Sequence, residues 1–292
     1  MSTGGPVDID AAESWVRTRL PITGPLEHFQ TEPWAAVFRA PIDGEVVWFK
    51  ACAPRPAFEV SLTAALSTRW AAVTEVIAHD ADRRWLLMAD AGEPLRTLGN
   101  PPERWLQILP TYAELHMGES ARANEHLARG APDLRLGLLP ALYDELLLAE
   151  LPLEPAEKYA LEAFLPSFSE LCAELSAAMI GPTVQHDDLH MNNVYLKEGV
   201  LRVLDWGDAS IAHPFFSLFE TFRFLVEMNR LPAGDPWFAT LRDAYLEPWG
   251  RAIGRPSTSP FGSVASRMRS HGSISGTRCQ RKIDQDSTDG SP

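Results

Sequence analysis

The most informative part of this sequence is the stretch His186-Asp187-Asp188-Leu189-His190-Met191-Asn192-Asn193. The pair Asp205-Trp206 begins twelve residues after Asn193, at the end of an apolar run. Between the two motifs, segments 194–196 and 200–204 are rich in β-formers and are separated by Lys197-Glu198-Gly199, which predicts a hairpin. A hairpin would bring Asn193 and Asp205 side by side, so the sequence predicts two acid-bearing loops at one site.

These two loops carry the groups that phosphoryl transfer from a nucleotide requires. That reaction needs a carboxylate to orient and deprotonate the attacking hydroxyl, and oxygen ligands that hold Mg²⁺ against the phosphates. In a His-x-Asp-x-x-x-x-Asn loop, Asp188 would be the base and Asn193 would reach a metal ion. Asp205, at the end of a short strand, would be the second metal ligand.

At these residues the sequence resembles the aminoglycoside phosphotransferase and choline kinase group, which are small-molecule kinases with a protein-kinase-like fold. The loop of that group is commonly His-Gly-Asp-x-His-x-x-Asn, and Asp-Trp or Asp-Phe follows it. The resemblance implies a catalytic base at Asp188 and metal ligands at Asn193 and Asp205. Asp187 replaces the usual glycine, but protein kinases carry arginine there, so a side chain is tolerated. The matching positions are His186, Asp188, His190, Asn193, Asp205 and Trp206.

The same loop has a second chemical interpretation. Histidine and carboxylate at short spacing suit a hydrolytic Zn²⁺ or Fe²⁺ cluster, here built from His186, Asp187, Asp188 and His190. That interpretation leaves Asn193 and Asp205 without a role. Considered alone, His190 is expected to bond loop backbone, and Asp208 is either a third acid at the site or a solvated turn residue.

The N-terminal part of the chain offers a cation for the nucleotide phosphates. Residues 46–51 are a β-type run after the hairpin signal Asp43-Gly44, and they contain Lys50, the only lysine in the first half of the chain. Kinases anchor phosphates with a lysine on the third strand that pairs with a glutamate on the following helix. Segment 57–66 has one apolar helical face and carries Glu59. The prediction is a Lys50–Glu59 ion pair; the alternative is a solvated lysine at a strand end.

Two further segments bear on nucleotide binding. The turn between the first two strands should fall within residues 30–39, which contain no glycine, although glycine-rich turns let the phosphates lie close to the backbone. The match to the kinase pattern is weakest there. The segment Met88-Ala89-Asp90-Ala91-Gly92 resembles the hinge on which an adenine ring rests, with Met88 and Asp90 as nucleotide-binding residues. Its alternative interpretation is an ordinary strand end and turn.

Composition is typical of a folded enzyme that functions without a membrane. The 292 residues are 45% hydrophobic and 22% charged, which suffices for a sizeable core divided between two lobes. No apolar stretch approaches the length of a membrane-spanning helix, and residues 1–6 lack the basic and apolar regions of a signal peptide. The expected location is the cytoplasm.

The net charge indicates which binding partners are expected, and the cysteines indicate whether disulfides or a zinc site are expected. A net charge of -13 argues against a nucleic-acid partner, because phosphate backbones require a basic face, but it is compatible with a cationic substrate. The cysteines at positions 52, 172 and 279 are odd in number and lack metal-ligand spacing, so neither a disulfide framework nor a zinc knuckle is indicated. The oligomeric state is not predicted.

The pattern along the chain, together with the resemblance, predicts an α+β, two-lobed, protein-kinase-like fold. Residues 1–88 should form a small β-rich lobe that binds nucleotide and contains one key helix, which carries Glu59. Residues 89–93 would be the hinge, and residues 94–254 a larger, mostly helical lobe for catalysis and substrate binding. Strands are expected at 34–40, 46–51, 75–79 and 85–89, and helices at 10–20, 103–116 (kinked or split at Pro110), 134–150, 154–179, 215–229 and 236–249.

From Arg255 the composition changes abruptly. Residues 255–292 contain nine serines and only seven apolar residues, without helical or strand period, which predicts a disordered tail. A second hypothesis is a reading-frame shift. When residues 259–286 are back-translated with GC-rich codons and read in the other register, a helix-like sequence can be obtained.

The resemblance implies a small-molecule kinase that uses ATP or GTP with Mg²⁺, with Asp188 as base. The acceptor would be a small-molecule hydroxyl, such as that of an amino sugar, an aminoglycoside-like antibiotic, a choline-like alcohol or a metabolite. In the family the Asp-Trp motif is followed by Pro and then an Asp-Leu pair. Here Pro214 fits, but Ser217-Leu218 replaces the acid. This departure and the glycine-free turn favour the alternative, a catalytically weak pseudokinase or nucleotide-binding regulatory module.

Overall fold

The N-terminal region is a five-stranded antiparallel sheet with one helix on each face. The computed structural model describes residues 7–232 and 234–253. The sheet order is β1-β2-β3-β5-β4, from Glu27–Glu32, Ala35–Ile42, Glu45–Cys52, Val76–Asp80 and Trp85–Ala89 for β1 to β5. Helix α1 (Ile9–Arg17) lies on the outer face, and α2 (Phe58–Ser67) lies on the face that carries Lys50.

Alternation along β3 explains this two-sided packing. Successive strand residues point to opposite faces. Phe49 belongs to the outer core, where its ring contacts Trp15 of α1 and Trp85 of β5. Cys52 instead packs with Val60 of α2 on the opposite face. Because Lys50 and Cys52 are two residues apart, the lysine lies on the α2 side of the sheet.

The C-terminal region is mostly helical. Its helices are α3 to α8, at Pro102–Ser120, Ala123–Ala128, Leu139–Leu148, Pro155–Ala177, Leu218–Asn229 and Pro236–Ile253. Three short strands form a sheet of order β6-β8-β9, from Glu93–Pro94, Val194–Lys197 and Val200–Val203, and β7 (Thr183–Gln185) pairs with β10 (Ser210–Ala212). The core of this lobe contains Trp105, Trp206 and Tyr245, all fully buried.

The two lobes share one hydrophobic core at α2. Leu62 and Leu66 of this helix are fully buried in the same cluster as Leu109 of α3. Beyond the helix, Arg69 forms two 2.7 Å bonds with the buried carboxylate of Glu119. Helix α2 is therefore fixed against the helical lobe, which determines where its Glu59 side chain lies.

The sequence predicted the fold class correctly, and most elements lie where they were expected. Helix α1 begins after Asp8, whose side chain caps Ala11 N, and ends at Arg17 rather than continuing to residue 20. Helix α3 continues through Pro110 without splitting. The helix expected over 134–150 is confined to Leu139–Leu148, and α7 is preceded by a 3-10 turn at Pro214–Ser217. The predictions for residues 255–292 lie outside the described residues.

Several short elements were not predicted from the sequence. Strand β1 is exposed along most of its length and shows no alternation of buried residues. Strands β7 and β10 have three residues each, and α4 has six, so none is long enough for a periodic pattern. Across the described ranges, no helix is long and apolar enough to span a membrane.

Candidate active site

Lys50 lies at the centre of the candidate site and bridges two carboxylates. Its Nζ is 2.6 Å from Glu59 Oε1 and 2.6 Å from Asp205 Oδ1. The Glu59 side chain is buried, whereas 43% of the Asp205 side chain is exposed. The structure thus joins β3, α2 and the start of the Asp205 loop through one ammonium group, with Asp205 on the open side.

This arrangement determines the charge of Lys50 and Asp205. Burial alone would lower the pKa of Lys50, but attraction to Glu59 and Asp205 outweighs it and raises the pKa. For Asp205, burial raises the pKa of the carboxyl, and the nearby charge of Lys50 more than offsets this, so the pKa is below its usual range. Lys50 is a permanent cation, and Asp205 is ionised at neutral pH.

The loop after β7 forms the second half of the site. Asn193 Nδ2 donates to the backbone O and to Oδ2 of Asp188, each at 2.9 Å. His190 Nε2 lies 3.1 Å from Asp188 Oδ1. Burial raises the pKa of Asp188, but hydrogen bonds from His190 and Asn193, together with the electrostatic interaction with the His190 and His186 imidazoles, lower it more, so the pKa is below its usual range. Asp188 is a positioned, ionised carboxylate.

His190 is held by its own loop. Asn192 N donates to His190 Nδ1 at 3.1 Å, so Nδ1 is an acceptor and the neutral ring carries its hydrogen on Nε2. That hydrogen points to Asp188. The ring also stacks on Phe224 of α7 with centroids 4.0 Å apart. His190 bonds loop backbone, as the sequence suggested, and also contacts the Asp188 carboxylate.

The predicted hairpin is present and brings the two loops together. Strands β8 and β9 pair Val194 with Val203, and Leu204 N donates to Asn193 O at 2.9 Å. Asp205 follows in the left-handed backbone region, with φ of 64°. Burial, together with the charges of Asp188 and Asp205, raises the pKa of Asp208. Asp208 therefore shares the electrostatic field of both loops.

The hinge segment is tied to the sheet and to the hairpin. Asp90 accepts a hydrogen bond from Trp48 Nε1 at 3.1 Å and forms an ion pair with Lys197, whose Nζ lies 3.2 Å from Asp90 Oδ2. The side chain of Met88 is buried with Cys52. A Cβ at Gly92 would lie 2.3 Å from the backbone O of Leu196, so this position requires glycine. The side chains of Met88 and Asp90, which were predicted to bind nucleotide, are thus already engaged within the protein.

Sequence reasoning missed several residues near the site. Trp48 lies two positions before Lys50 and so shares its face of β3. Its ring contacts the half-exposed ring of Phe29 at 4.9 Å, close to an irregularity in β1. Tyr112 of α3 and Thr221 of α7 bond the backbone of the Asp188 loop. Only Trp48 had a sequence signal, its two-residue spacing from Lys50.

The geometry bears on two points raised by the sequence, the alternative hydrolytic metal cluster and the turn without glycine between the first two strands. Within the described ranges, no three His, Cys, Asp or Glu side chains are grouped so that they could hold a metal ion. His186 instead has its Nε2 2.7 Å from the backbone O of Leu204. The donor set for a hydrolytic cluster is therefore not assembled. The turn between β1 and β2 is a tight one at Pro33-Trp34, without glycine.

The sequence profile of the phosphotransferase enzyme family matches residues 49–260, nearly three quarters of the chain. The chain belongs to this phosphotransferase family. The match includes Lys50, Glu59 and the loops that carry Asp188 and Asp205, which come together in the structure. No curated protein sequence matches the chain.

Solved structures of kinases share the fold of this phosphotransferase family member. A macrolide 2′-phosphotransferase type I superposes with a TM-score of 0.58 at 14% identity, covering 85% of this chain and 84% of that one. A choline kinase from Cryptosporidium parvum gives 0.57 at 15%, covering 82% and 79%. APH(2″)-IIa in its streptomycin–ATP complex gives 0.52 at 16%, covering 85% and 90%. At these identities the likeness shows a kinase-like fold.

Proposed function

We propose that this protein transfers the γ-phosphoryl group of ATP or GTP to a hydroxyl of a small molecule. One observation carries the proposal: the Lys50–Glu59–Asp205 bridge and the Asp188–Asn193 pair are brought together by one hairpin. Phosphoryl transfer needs a phosphate-binding cation, metal-binding oxygens and a positioned carboxylate, and these residues supply all three. Membership of the phosphotransferase family supports the same reaction class.

Lys50 is proposed to bind the nucleotide phosphates. Glu59 is buried and holds the ammonium group in place. The lysine side chain is therefore already ordered before a nucleotide binds, and binding does not incur that loss of entropy. The base would rest on the hinge, with backbone of residues 89–93 at its edge. Asp90 contributes by fixing Trp48, and Met88 by packing beside Trp48 on the same face of the sheet.

The oxygen donors at the hairpin fit Mg²⁺. The amide nitrogen of Asn193 is used by Asp188, which leaves its amide oxygen as the atom that can bind a cation. Asp205 is ionised, and oxygen ligands of this kind suit Mg²⁺. Asn193 and Asp205 would hold the ion, which would neutralise charge on the phosphates.

Asp188 is proposed to be the base. Its carboxylate is ionised and fixed from two sides by His190 and Asn193, while 34% of the side chain remains exposed. The acceptor hydroxyl would donate a hydrogen bond to this carboxylate, which orients the oxygen for attack on the γ-phosphorus. As the new O–P bond forms, the bond between the γ-phosphorus and the β–γ bridging oxygen breaks, ADP or GDP leaves, and the hydroxyl proton passes to Asp188. Positioning accounts for most of the catalysis in such a reaction.

A cationic acceptor, such as an amino sugar, suits the charge around Asp188. Several carboxyl groups interact electrostatically at this end of the cleft, and such a field attracts cations. The group comprises Asp187, Asp188, Asp205, Asp208 and Glu220. We therefore expect amines among the best acceptors. Neither nucleic acid nor membrane is proposed as a partner, and a cytoplasmic location is the corresponding proposal.

The decisive experiment is a screen of hydroxyl compounds for stimulated ADP or GDP release in the presence of Mg²⁺. The panel should include aminoglycosides, amino sugars, choline-like alcohols and neutral sugars matched in size. A compound that stimulates release should appear as a phosphoester in ³¹P NMR. Absence of stimulation across the panel, with nucleotide still bound, would favour a nucleotide-binding module instead. The glycine-free Pro33-Trp34 turn is the observation that keeps this second function open.

A further inference from the structure

The start of the Asp188 loop is tied to a buried chain of polar groups. His186 N donates to the hydroxyl of Tyr112 at 2.9 Å, and that hydroxyl lies 3.0 Å from Ser217 Oγ. Ser217 Oγ in turn donates to Gln185 Oε1. All four residues are at most 2% exposed, so water does not compete for these bonds.

The direction of each bond follows from the two ends of the chain. A backbone N–H can only donate and an amide oxygen can only accept. Ser217 must therefore donate to Gln185 and accept from Tyr112, and Tyr112 must accept from His186 N. Every hydroxyl is used once as donor and once as acceptor. Hydrogen bonds aligned in this way reinforce one another in a low-dielectric interior.

This series of hydrogen bonds begins at His186 N and ends at Gln185 Oε1. Because Gln185 and His186 are neighbours, the series closes on the peptide that joins β7 to the loop. It therefore fixes this peptide between α3, which carries Tyr112, and the 3-10 turn, which ends at Ser217. Further along the loop, Thr221 of α7 donates to Leu189 O at 2.7 Å. The loop is held on both sides of Asp188, yet none of these partners reaches the cleft.

We infer that Tyr112 and Ser217 are positioning residues, which set the place of Asp188 through the His186 backbone. The resemblance to the phosphotransferase family implies an acid at this position, which is Ser217 here. Here a tyrosine hydroxyl from α3 bonds the loop, and the serine orients that hydroxyl. These bonds keep the loop ordered without the acid. The predicted effect on kcat rests on the proposed function.

The first test measures the amide directly. In wild type, hydrogen exchange of the His186 amide, followed by NMR, should be slow. Tyr112→Phe removes the acceptor and leaves the N–H unpaired, so exchange should be about tenfold faster or more. Tyr245→Phe is the matched control: that hydroxyl is also fully buried and makes two bonds, to His116 Nδ1 and to Pro214 O, neither of them to residues 185–193. It should destabilise the fold similarly, so only the acceleration of His186 exchange beyond that in Tyr245→Phe reports the lost bond.

The second test separates positioning from stability. Tyr112→Phe and Ser217→Ala should each lower kcat by about 10- to 100-fold, because a small misplacement of the base is costly. Nucleotide Kd should stay within about twofold. The double variant should be no slower than the slower single variant, since both act through one chain of bonds. Tyr245→Phe should keep kcat near the wild-type value.

The outcomes are distinct. His186 exchange in Tyr112→Phe that is no faster than in Tyr245→Phe overturns the inference. A kcat loss no larger than that of Tyr245→Phe overturns it too, as do kinetic effects that multiply. If exchange accelerates but wild type phosphorylates no acceptor, the positioning chain stands and the proposed function fails. If wild type is active and exchange does not change, the function stands and the positioning chain fails.

Discussion

Asn193 donates twice to Asp188 through its side-chain amide, to the carboxylate Oδ2 and to the backbone O, each at 2.9 Å. The proposed base and the proposed metal ligand are thus a single unit. Both bonds use the amide nitrogen, so the amide oxygen is directed away from Asp188. The same contact that orients the carboxylate leaves the amide oxygen of Asn193 as an available oxygen donor.

The first prediction concerns Asp188. Asp188→Asn keeps the size of the side chain but removes the proton acceptor, so turnover on an identified acceptor should fall by about 10²- to 10⁴-fold. Nucleotide affinity should be retained, because the substituted side chain still has an oxygen that can accept from Asn193, the proposed metal ligand. Steady-state kinetics and calorimetry measure the two quantities. Asp187→Asn is the control and should retain most of the turnover; the reverse result would make Asp187 the base.

The second prediction concerns Asp205. Asp205→Ala removes a proposed metal ligand and one of the two carboxylates on Lys50. Mg²⁺-dependent nucleotide binding in calorimetry should be abolished, while the fold remains intact by circular dichroism. Asp208→Asn, which alters a neighbouring acid, should bind nucleotide at least as well because it removes negative charge. Unchanged affinity in Asp205→Ala would show that Asp205 does not hold the ion.

The Lys50–Glu59 pair shows what could be predicted from the sequence. A lysine in a β-run and a glutamate on the next amphipathic helix are separated by nine residues, and local periodicity determines which faces they occupy. The hairpin between Asn193 and Asp205 was predictable for the same reason. Its turn, Glu198-Gly199, has positive φ at both positions, as hairpins favour.

The Tyr112–Ser217 contact shows what could not be predicted. The two residues are 105 positions apart. Ser217 stands where the family motif has its acid, but nothing in the sequence pairs it with Tyr112. Their meeting depends on how α3 packs against the 3-10 turn before α7. The exposed strand β1 and the three-residue strands β7 and β10 are likewise set by tertiary pairing and leave too short a pattern in the sequence.

The third prediction concerns Trp48. Its ring shares the face of Lys50 and is held by Asp90, so it is placed to stack on a nucleotide base. Stacking on an aromatic side chain contributes about 1–3 kcal/mol per base, so Trp48→Ala should weaken ATP binding by roughly 5- to 150-fold. Tripolyphosphate, which has no base, should bind equally to both proteins. Tyr159→Ala removes an exposed aromatic ring of α6 and should change neither affinity.

If Trp48→Ala weakened the binding of tripolyphosphate as much as the binding of ATP, the substitution would be acting by disturbing Lys50, which lies two residues away on the same strand. The indole would then support the phosphate site and not the base. Equal losses would therefore contradict a stacking role. Loss of the Asp90 bond alone can be measured with Trp48→Phe, which keeps the aromatic face and should retain most of the ATP affinity.

The last prediction concerns Asp187, which occupies the family's usual glycine position with φ of 60°. Burial raises the pKa of its carboxyl to about 6, although Ser210 Oγ donates to it. The folded state therefore holds a proton that the unfolded state releases nearer pH 4, and the stability from this group is lost as pH rises through 6. Asp187→Asn keeps an acceptor for Ser210 and cannot ionise.

The free energy of unfolding, measured in urea from pH 4 to pH 8, should show the difference. Asp187→Asn should gain little over wild type near pH 4, gain progressively up to pH 6, and stay ahead by about 1–3 kcal/mol above it. Asp133→Asn is a control of opposite sign, because the hydrogen bond from Arg135 lowers the pKa of Asp133. That variant should lose stability at neutral pH. A gain for Asp187→Asn that is the same at every pH would mean that this carboxyl does not titrate in the folded state between pH 4 and pH 6.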